Sequence, residues 1–557
     1  MFRRLFARAV RLFWLLPGFL LWASFPPMGE KTDCLFALAP LMWLARRAPA
    51  KRAARTWFAN GLLFWIATLS WMPAIVKNGG PWPLVVLGWG ALSAYCALYF
   101  GACGWLSARY WSWVRGETGV LGLEPCPRSY GWRMLGVLVV EPVLWCGLEL
   151  VRSRLFGGFA WNHLGVPVVN AGFGAPAALG GVYLVSAVVI LVNGTIAGIA
   201  ERMWRPEKSG YVNLKRLGSL ETFLVAGLVF ALYRTAGACQ ESGGDGERSA
   251  AETLSVAMVQ RDFPCVFDRG RREDPVAVYS NLLQNVAYVK PDLVVLPESA
   301  LCEFGEIGRG GDLAFAAWAS RLTGGASVLA GGSRTAEGRI YNSAALYDFG
   351  RADGRPSVYD KVHLVPFGEY IPGDKVFPVL QKLAPVGSCT AGEPRLLPLS
   401  AQTGAQAPRR FGVAICFEDT DSALMRTFAR QGADLLVFIT NDSWFSRSIE
   451  AEQHAWQSVA RAIETGLAVV RVGNSGVTGT VTPRGKASWL AGPDARPAVD
   501  CRATMCDRVP LAAAGSRATP YVRLGDAPLF VMFALLITAM VLVKYKTNYE
   551  KRRSLSV

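Results

Sequence analysis

Long apolar stretches separated by short polar ones fill the first 240 residues, and then the rhythm changes. Runs of spanning or near-spanning length cover residues 12–27, 34–44, 57–75, 84–106, 135–151, 175–200 and 220–236, and one more covers 527–543. A helix needs about 20 apolar residues to cross a hydrocarbon core, so these read as membrane helices, the first two short enough to be tilted or re-entrant. The first run also follows an Arg-rich start, as a cleaved signal peptide would.

Between residues 254 and 524 the apolar runs shorten to strand length and become rich in Val, Ile and Leu: 254–259, 293–296, 327–330, 411–415, 435–439 and 467–472. Amphipathic stretches at 275–289, 312–322, 421–431 and 451–465 read as helices between them, the alternation of an α/β domain. Residues 241–246 and 392–410 carry turn chemistry and read as a linker and a surface loop. The expected order is a membrane bundle of about seven helices (1–239), a linker (240–253), a polar α/β domain (254–524), a C-terminal transmembrane helix (525–545) and a basic tail (546–557).

Composition agrees with membrane insertion: 52% of residues are hydrophobic and the mean hydropathy is +0.26. The 58 Lys and Arg against 42 Asp and Glu, formally +16, fall in clusters after every second apolar stretch. Arg3, Arg4, Arg8 and Arg11 precede the first; Arg46, Arg47, Lys51, Arg52 and Arg55 follow the second; Arg109, Arg115, Arg128 and Arg133 follow the fourth. Arg202, Arg205, Lys208, Lys215 and Arg216 follow the sixth, and Lys544 to Arg553 follow the last. By the positive-inside rule both termini are cytoplasmic and the polar domain faces outward. Removing the first span as a signal peptide would break that parity. Nucleic-acid binding would need the charges gathered on one folded surface, so that class is excluded. Of 12 cysteines only Cys501 and Cys506 approach ligand spacing, without a second pair to complete a zinc site. Cys265, Cys302, Cys389, Cys416, Cys501 and Cys506 lie in the outward domain, where disulfides form, and Cys501 with Cys506 is the candidate pair.

Three reactive side chains stand at or just past strand-like runs. Glu298 follows LVVLP, Lys361 lies in VYDKVHLVPFGEY, and Cys416 follows FGVAI. Ligands bind beyond the carboxyl ends of strands in open α/β sheets, so these three can converge on one pocket. A thiol is little ionised at neutral pH and needs a base beside it. Glu298 can take the proton and return it to a leaving group, while the Lys361 ammonium stabilises an oxyanion. Taken singly, a strand-end Cys is commonly core and a Glu after Pro a solvated turn residue. Glu369 and the acidic run Glu418–Asp419 next to Cys416 tip the balance towards a site, because buried carboxylates are costly without a purpose.

At these residues the chain resembles the nitrilase (carbon–nitrogen hydrolase) superfamily over about 254–492. The carrying motifs are LPES (296–299), YNS (341–343), KVHLVPFGEYIP (361–372), CFED (416–419), NDSWF (441–445) and GNSGVTG (473–479). With the flanking spans it is similar to the apolipoprotein N-acyltransferases, the membrane-embedded family of bacterial lipoprotein maturation. The resemblance implies an αββα sandwich and a triad of Glu298 (base), Lys361 (oxyanion stabiliser) and Cys416 (acylated nucleophile). It implies supporting roles for Glu369, Glu418 and Phe417, and substrate contacts at Asn441, Trp444, Phe445 and, in the loop GGFAWNHLG with Gly158 and Phe159, Trp161. Trp161 and Trp444 equally suit an interfacial aromatic belt. It implies no cofactor and no metal, a phospholipid acyl donor and a diacylglyceryl apolipoprotein acceptor at the bacterial inner membrane.

Two positions depart from the family. Phe417 stands where a Tyr is common, and Arg261 in VQRDFP stands where a Gly usually follows the Gln, which puts substrate contacts there in doubt. Other readings use other residues. A Cys–His pair would draw on His363 or on His454, which lies on a helix with Trp456, Val459 and Ile463 on its apolar side; His163 reads as structural or interfacial. A tethered amidase with water as acceptor shares the triad. A transporter or sensor would bury ionisable groups in its spans, for which Glu141 and Glu149 are the candidates.

Overall fold

The computed structural model describes residues 14–117, 130–203, 220–242, 252–263, 273–351, 354–373, 388–400, 408–445, 448–492, 496–512 and 518–554. The amino-terminal arginines, Arg128, the basic loop from Arg205 to Arg216, most of the linker, residues 401–407, Cys265, and the side chains of the basic tail lie outside them. The segment 392–410, expected as a surface loop, instead holds a strand at Leu396–Leu399 and the start of another at Arg409, paired to each other. The chain forms two compact units: Met1–Pro73, Trp82–Ala238 and Leu524–Val557 make one, Ala74–Pro81 and Cys239–Arg523 the other.

In the first unit five helices among the described residues are long and apolar enough to cross a membrane: Ala50–Asn78, Trp82–Val114, Tyr130–Arg152, Ala177–Met203 and Leu220–Gln240. Cys34–Ala45 and Ala527–Val541 are apolar but shorter. Helix Ala50–Thr68 lies close along Trp82–Val114, and Gly104 makes this possible: a Cβ there would sit 2.4 Å from Trp57 Cγ. Small residues at such crossings let helices approach where lipid supplies no hydrophobic drive.

Arg46, expected among the loop charges, is instead 2% exposed and pairs with Glu141 at 2.8 Å, while Trp111 Nε1 donates to the same carboxylate at 2.8 Å. Glu149, also buried, accepts from the Leu164 N–H at 2.8 Å. Both carboxylates suspected of a transport role thus have partners inside the bundle, as buried charge requires.

The second unit carries two six-stranded sheets, ordered β12-β1-β2-β3-β4-β5 and β11-β10-β9-β8-β7-β6. The strands are β1 (Thr253–Gln260), β2 (Leu293–Val295), β3 (Ser327–Ala336), β4 (Arg339–Tyr347), β5 (Ser357–Asp360), β6 (Leu396–Leu399), β7 (Arg409–Ile415), β8 (Leu435–Thr440), β9 (Val469–Gly473), β10 (Gly479–Val481), β11 (Ala487–Trp489) and β12 (Ala503–Pro510). In each sheet the central strands are parallel, β1-β2-β3 and β7-β8-β9, and antiparallel strands extend the edges.

Among the described residues four helices of nine residues or more accompany them: α1 (Pro275–Ala287), α2 (Gly311–Leu322), α3 (Ser422–Arg430) and α4 (Glu450–Thr465). Asp274 caps α1 by accepting from Val276 N at 2.9 Å with Pro275 following it, a sequence-readable start. Tyr279, Leu282, Leu283 and Val286 of α1 and Phe315, Ala316 and Ala319 of α2 pack on Ala257, Val294 and Val328 of the first sheet. Each Leu, Val or Phe side chain so removed from water contributes about 1.5–3 kcal/mol.

Cys501 and Cys506 are both free. Cys506 lies within β12 opposite Ala257, and extended chain rises about 3.3 Å per residue. The two thiols therefore stand too far apart along the strand to pair.

Candidate functional site

The segments that hold the candidate residues follow three central parallel strands and one antiparallel edge strand, β5. Past β2 comes Glu298, past β5 Lys361, past β7 Cys416 and past β8 Asn441. Two of these positions have positive φ without being glycine: Ser299 (+63°) after the glutamate and Cys416 itself (+55°). Non-glycine residues held there cost on the order of 1–3 kcal/mol, a strain typical of sites. The turn at Glu298 lies flat on β3, where a Cβ on Gly331 would meet Glu298 Cα at 2.7 Å.

Lys361 is 1% exposed, and its Nζ donates to Glu369 Oε1 at 2.9 Å and stands 3.9 Å from Glu298 Oε1. Asn342 Nδ2 joins the two carboxylates, 2.8 Å from Glu298 Oε1 and 2.7 Å from Glu369 Oε1. Burial works against the Lys361 charge, but the Glu369 and Glu298 carboxylates outweigh it and hold the ammonium above the ordinary lysine range. For Glu369 burial is likewise outweighed, by Lys361, Asn342 and the Val365 N–H at 2.8 Å, so it stays ionised below its usual range.

Burial dominates for Glu298 and, with Lys361 only partly offsetting it, raises the carboxyl above the ordinary range. Cys416, half-buried, has its thiol pushed well up by burial first and then by the charge of Glu298, against Lys361 and a hydrogen bond from Thr440. A protonated thiol beside a buried carboxylate of raised basicity is the resting state that a Cys nucleophile with a carboxylate base requires.

Glu418 is fully buried in the 3-10 turn Cys416–Thr420 and ties that turn to the lysine segment. Its Oε1 accepts from Val362 N (2.7 Å), His363 N (3.0 Å) and Tyr359 Oη (2.9 Å), and its Oε2 from Ile415 N (2.8 Å). Burial pushes its carboxyl up to about 7 despite Lys361 and these donors.

Phe417 is half-buried with its ring edge-on to His363, 6.3 Å between centroids. His363 Nδ1 faces Asp421 at 3.2 Å. Asn441 is 5% exposed and its Oδ1 accepts from Ser443 Oγ (2.6 Å) and Asn474 Nδ2 (2.9 Å). The half-buried Trp444 has its carbonyl bound by Asn78 Nδ2 at 2.6 Å, and Phe445 is half-buried beside it. Trp161, in the other unit, is 2% exposed against Trp71 and Phe159, and its carbonyl accepts from Arg152 at 2.8 Å.

Beyond Cys416 lies a cluster that sequence reasoning missed as a unit. His454 on α4 faces Asp419 Oδ1 through Nε2 (3.0 Å) and Asp442 Oδ1 through Nδ1 (3.1 Å). Arg471 on β9 pairs with Asp419 and lies 3.6 Å from Asp442. Burial works against the imidazolium, but Asp419 and Asp442 raise it to about 10. His454 therefore serves as a cation between two carboxylates rather than as the base for Cys416.

Asp442, Glu450 and His454 also have donor atoms within 4.8 Å of one another. An imidazolium, protonated on both nitrogens between Asp419 and Asp442, has no lone pair left for a metal, and Arg471 already supplies a second positive charge. This donor set does not fit a metal ion.

Comparison with known proteins places both units. The apolipoprotein N-acyltransferase N-terminal domain matches residues 17–195, and the carbon-nitrogen hydrolase family matches 256–505. An apolipoprotein N-acyltransferase of Geobacter metallireducens is 31% identical over 85% of this chain and 85% of its own. One of Chromobacterium violaceum is 28% identical over 96% of this chain and 90% of its own. A solved amidase from Nesterenkonia sp. is 17% identical, with a TM-score of 0.34, over 51% of this chain and 98% of its own.

Proposed function

Because the chain belongs to the apolipoprotein N-acyltransferase family, we propose that Cys416, Glu298 and Lys361 carry out the transfer of a fatty acyl chain from a membrane phospholipid to the N-terminal diacylglyceryl-cysteine of an apolipoprotein. The observation that carries the residue assignment is the buried Lys361 ammonium held between Glu369 and Glu298 beside the Cys416 thiol.

In the first half-reaction Glu298 takes the thiol proton as sulfur attacks the ester carbonyl. The tetrahedral oxyanion faces the Lys361 ammonium, which is already ionised and fixed, so little reorganisation opposes its stabilisation. Collapse expels the lysophospholipid alkoxide, which takes the proton back from Glu298, and leaves a Cys416 thioester. In the second half the α-amino group of the acceptor attacks the thioester and loses a proton to Glu298. The amide leaves, and the thiolate recovers that proton. Glu369 holds Lys361 in place, and Glu418 fixes the lysine segment against the nucleophile turn. Asn441, Trp444, Phe445 and Trp161 are proposed for the substrate side on the strength of the motifs alone.

The alternating basic clusters support a topology with both termini in the cytoplasm and the 254–524 domain on the outer face of the inner membrane. On this reading the first, second and last apolar stretches cross the bilayer with the five long helices, which keeps both termini on one side, and both lipid substrates arrive laterally from the membrane.

The test is mass spectrometry of a diacylglyceryl-cysteine peptide incubated with purified protein and phospholipid. One added acyl chain on the amine, absent with Cys416→Ala, supports the assignment. Free fatty acid with an unchanged peptide would replace it with a tethered hydrolase that uses water.

A further inference from the structure

Arg261 is one of the two residues at which the sequence leaves its family's pattern, and its side chain is 3% exposed within the second unit. Its guanidinium donates to three groups on two separate segments. Nη2 donates to the Ser299 carbonyl at 3.1 Å, Nη1 to Glu303 Oε2 at 2.7 Å and Nε to Asn474 Oδ1 at 3.1 Å. The plane lies over the rings of Phe263, 4.3 Å to the centroid, and Tyr279, 5.8 Å.

We propose that Arg261 is a positioning residue for the reaction: it clamps the strained turn that carries Glu298 to the segment after β9, and so holds the base toward Cys416. The inference rests on the reading of Glu298 as the base.

Two faces of the Glu298 turn are fixed by different means. One lies on the Gly331 backbone, which binds Pro297 O at 3.2 Å and accepts from Leu301 N at 2.9 Å. The other, the Ser299 carbonyl, points at Arg261. Ser299 sits at φ +63°, a conformation that relaxes toward negative φ unless its surroundings hold it. A fork of donors from a rigid, stacked guanidinium does this where a lysine ammonium could not.

The clamp also reaches the opposite wall. Asn474 Nδ2 donates to Asn441 Oδ1 at 2.9 Å and to Phe263 O at 2.7 Å, and Asp262 N donates to Asn474 O at 2.8 Å. One guanidinium thus registers the end of β1, the base turn of β2, and the loops that follow β8 and β9. The doubt that Arg261 raised about substrate contacts has a physical answer: its donors are spent inside the protein.

The experiment measures single-turnover acylation of Cys416 by phospholipid in full-length protein, with Arg261→Met, Arg261→Lys, Ser299→Gly, Arg261→Met/Ser299→Gly and Glu298→Gln. Met keeps the apolar stem against Phe263 and Tyr279. A displacement of about 1 Å at a reacting group costs on the order of 10²-fold, so Arg261→Met is expected to lose about that much in acylation rate, with KM for phospholipid unchanged. Glycine takes positive φ without strain, so Ser299→Gly in the Met background is expected to restore roughly tenfold. A general loss of folding would not be repaired by that second change. Arg261→Lys, expected to lie between wild type and Met, covers the case in which Met does not fold.

Wild-type acylation in both Arg261 variants while Glu298→Gln is inactive overturns the inference and leaves the base assignment standing. So does a loss that Ser299→Gly fails to repair. An active Glu298→Gln overturns the base assignment, and the inference with it.

Discussion

Replacing Glu418 by Gln changes one oxygen for an NH₂ and keeps the volume, so it isolates the hydrogen-bond pattern at the nucleophile turn. Four donors converge on the two carboxylate oxygens, three on Oε1 and Ile415 N on Oε2. Gln keeps the triple contact only by turning its NH₂ toward Ile415 N–H, donor against donor, in a fully buried place. The orphaned N–H costs about 1–3 kcal/mol. The remaining three bonds fall from charge-assisted to neutral, a further ~1–2 kcal/mol in total. Opening of the Val362–His363 segment should therefore become easier by about 3 kcal/mol, a factor of about 100. The assay is amide hydrogen exchange in the peptide containing Val362 and His363, at about pH 8 so that Glu418, raised to about 7, is ionised in the wild type. Exchange there should accelerate roughly 100-fold, and acylation of Cys416 should fall because Lys361 precedes these amides directly. Unchanged exchange together with unchanged acylation would refute the argument that Glu418 fixes the lysine segment.

The same geometry predicts three further outcomes. Lys361→Met should destabilise the catalytic unit by about 3–5 kcal/mol, seen in its thermal unfolding, because it strands the Glu369 and Glu298 carboxylates without their counter-charge. The acid limb of kcat/KM should lie above 4.5 because burial raises Glu298, which must be ionised to accept a proton, and Glu298→Gln should remove the activity. His454, raised from 6.5 to about 10, contributes stability that is fully present below about 6.5 and lost as pH rises through about 10. Unfolding followed from pH 6 to 10 should show that loss in the wild type, and His454→Gln should flatten it.

What the sequence made legible follows from what each strand had to bury. The central strands β1, β2, β7, β8 and β9 are covered on both faces and read as apolar runs; each stands within a few residues of its expected position. β4 (RIYNSAALY) and the edge strand β12 (ATMCDRVP) did not, because β4 spends Asn342 and Ser343 on Glu298, Glu369 and Asp360, and β12 is half exposed. The apolar run that marked the third strand ends at Ala330, before Gly331 and Gly332. The strand continues to Ala336 because Gly331 has to admit the Glu298 turn. The positions proposed as the triad were picked out from strand ends and motifs; the bridge through Asn342 and the hydrogen bonds of Arg261 could not be, since hydrogen-bond partners distant in sequence leave no periodicity.

Helix α4 shows most clearly why such a site resists a hydropathy reading. Trp456, Val459 and Ile463 mark an apolar side, yet every residue from Glu450 to Thr465 except the half-buried Glu452 is buried. The polar side turns to the chain that follows Cys416: His454 and Ser458 to Asp419, Arg461 to the Thr420 carbonyl at 2.8 Å, and Glu464 to Ser422. Isolated charges would not survive there, but this helix brings its cations to the acidic turn, so the desolvation cost is offset by pairs with fixed geometry. The electrostatic consequence reaches the reaction. The charges behind the nucleophile turn are compensated locally, so the charges acting most strongly on the Cys416 thiol are the Glu298 carboxylate and the Lys361 ammonium, ahead of Asp442. A helix that reads as amphipathic thus neutralises the acidic turn behind the thiol, and on the proposed mechanism this leaves the thiol proton to Glu298 and the oxyanion to Lys361.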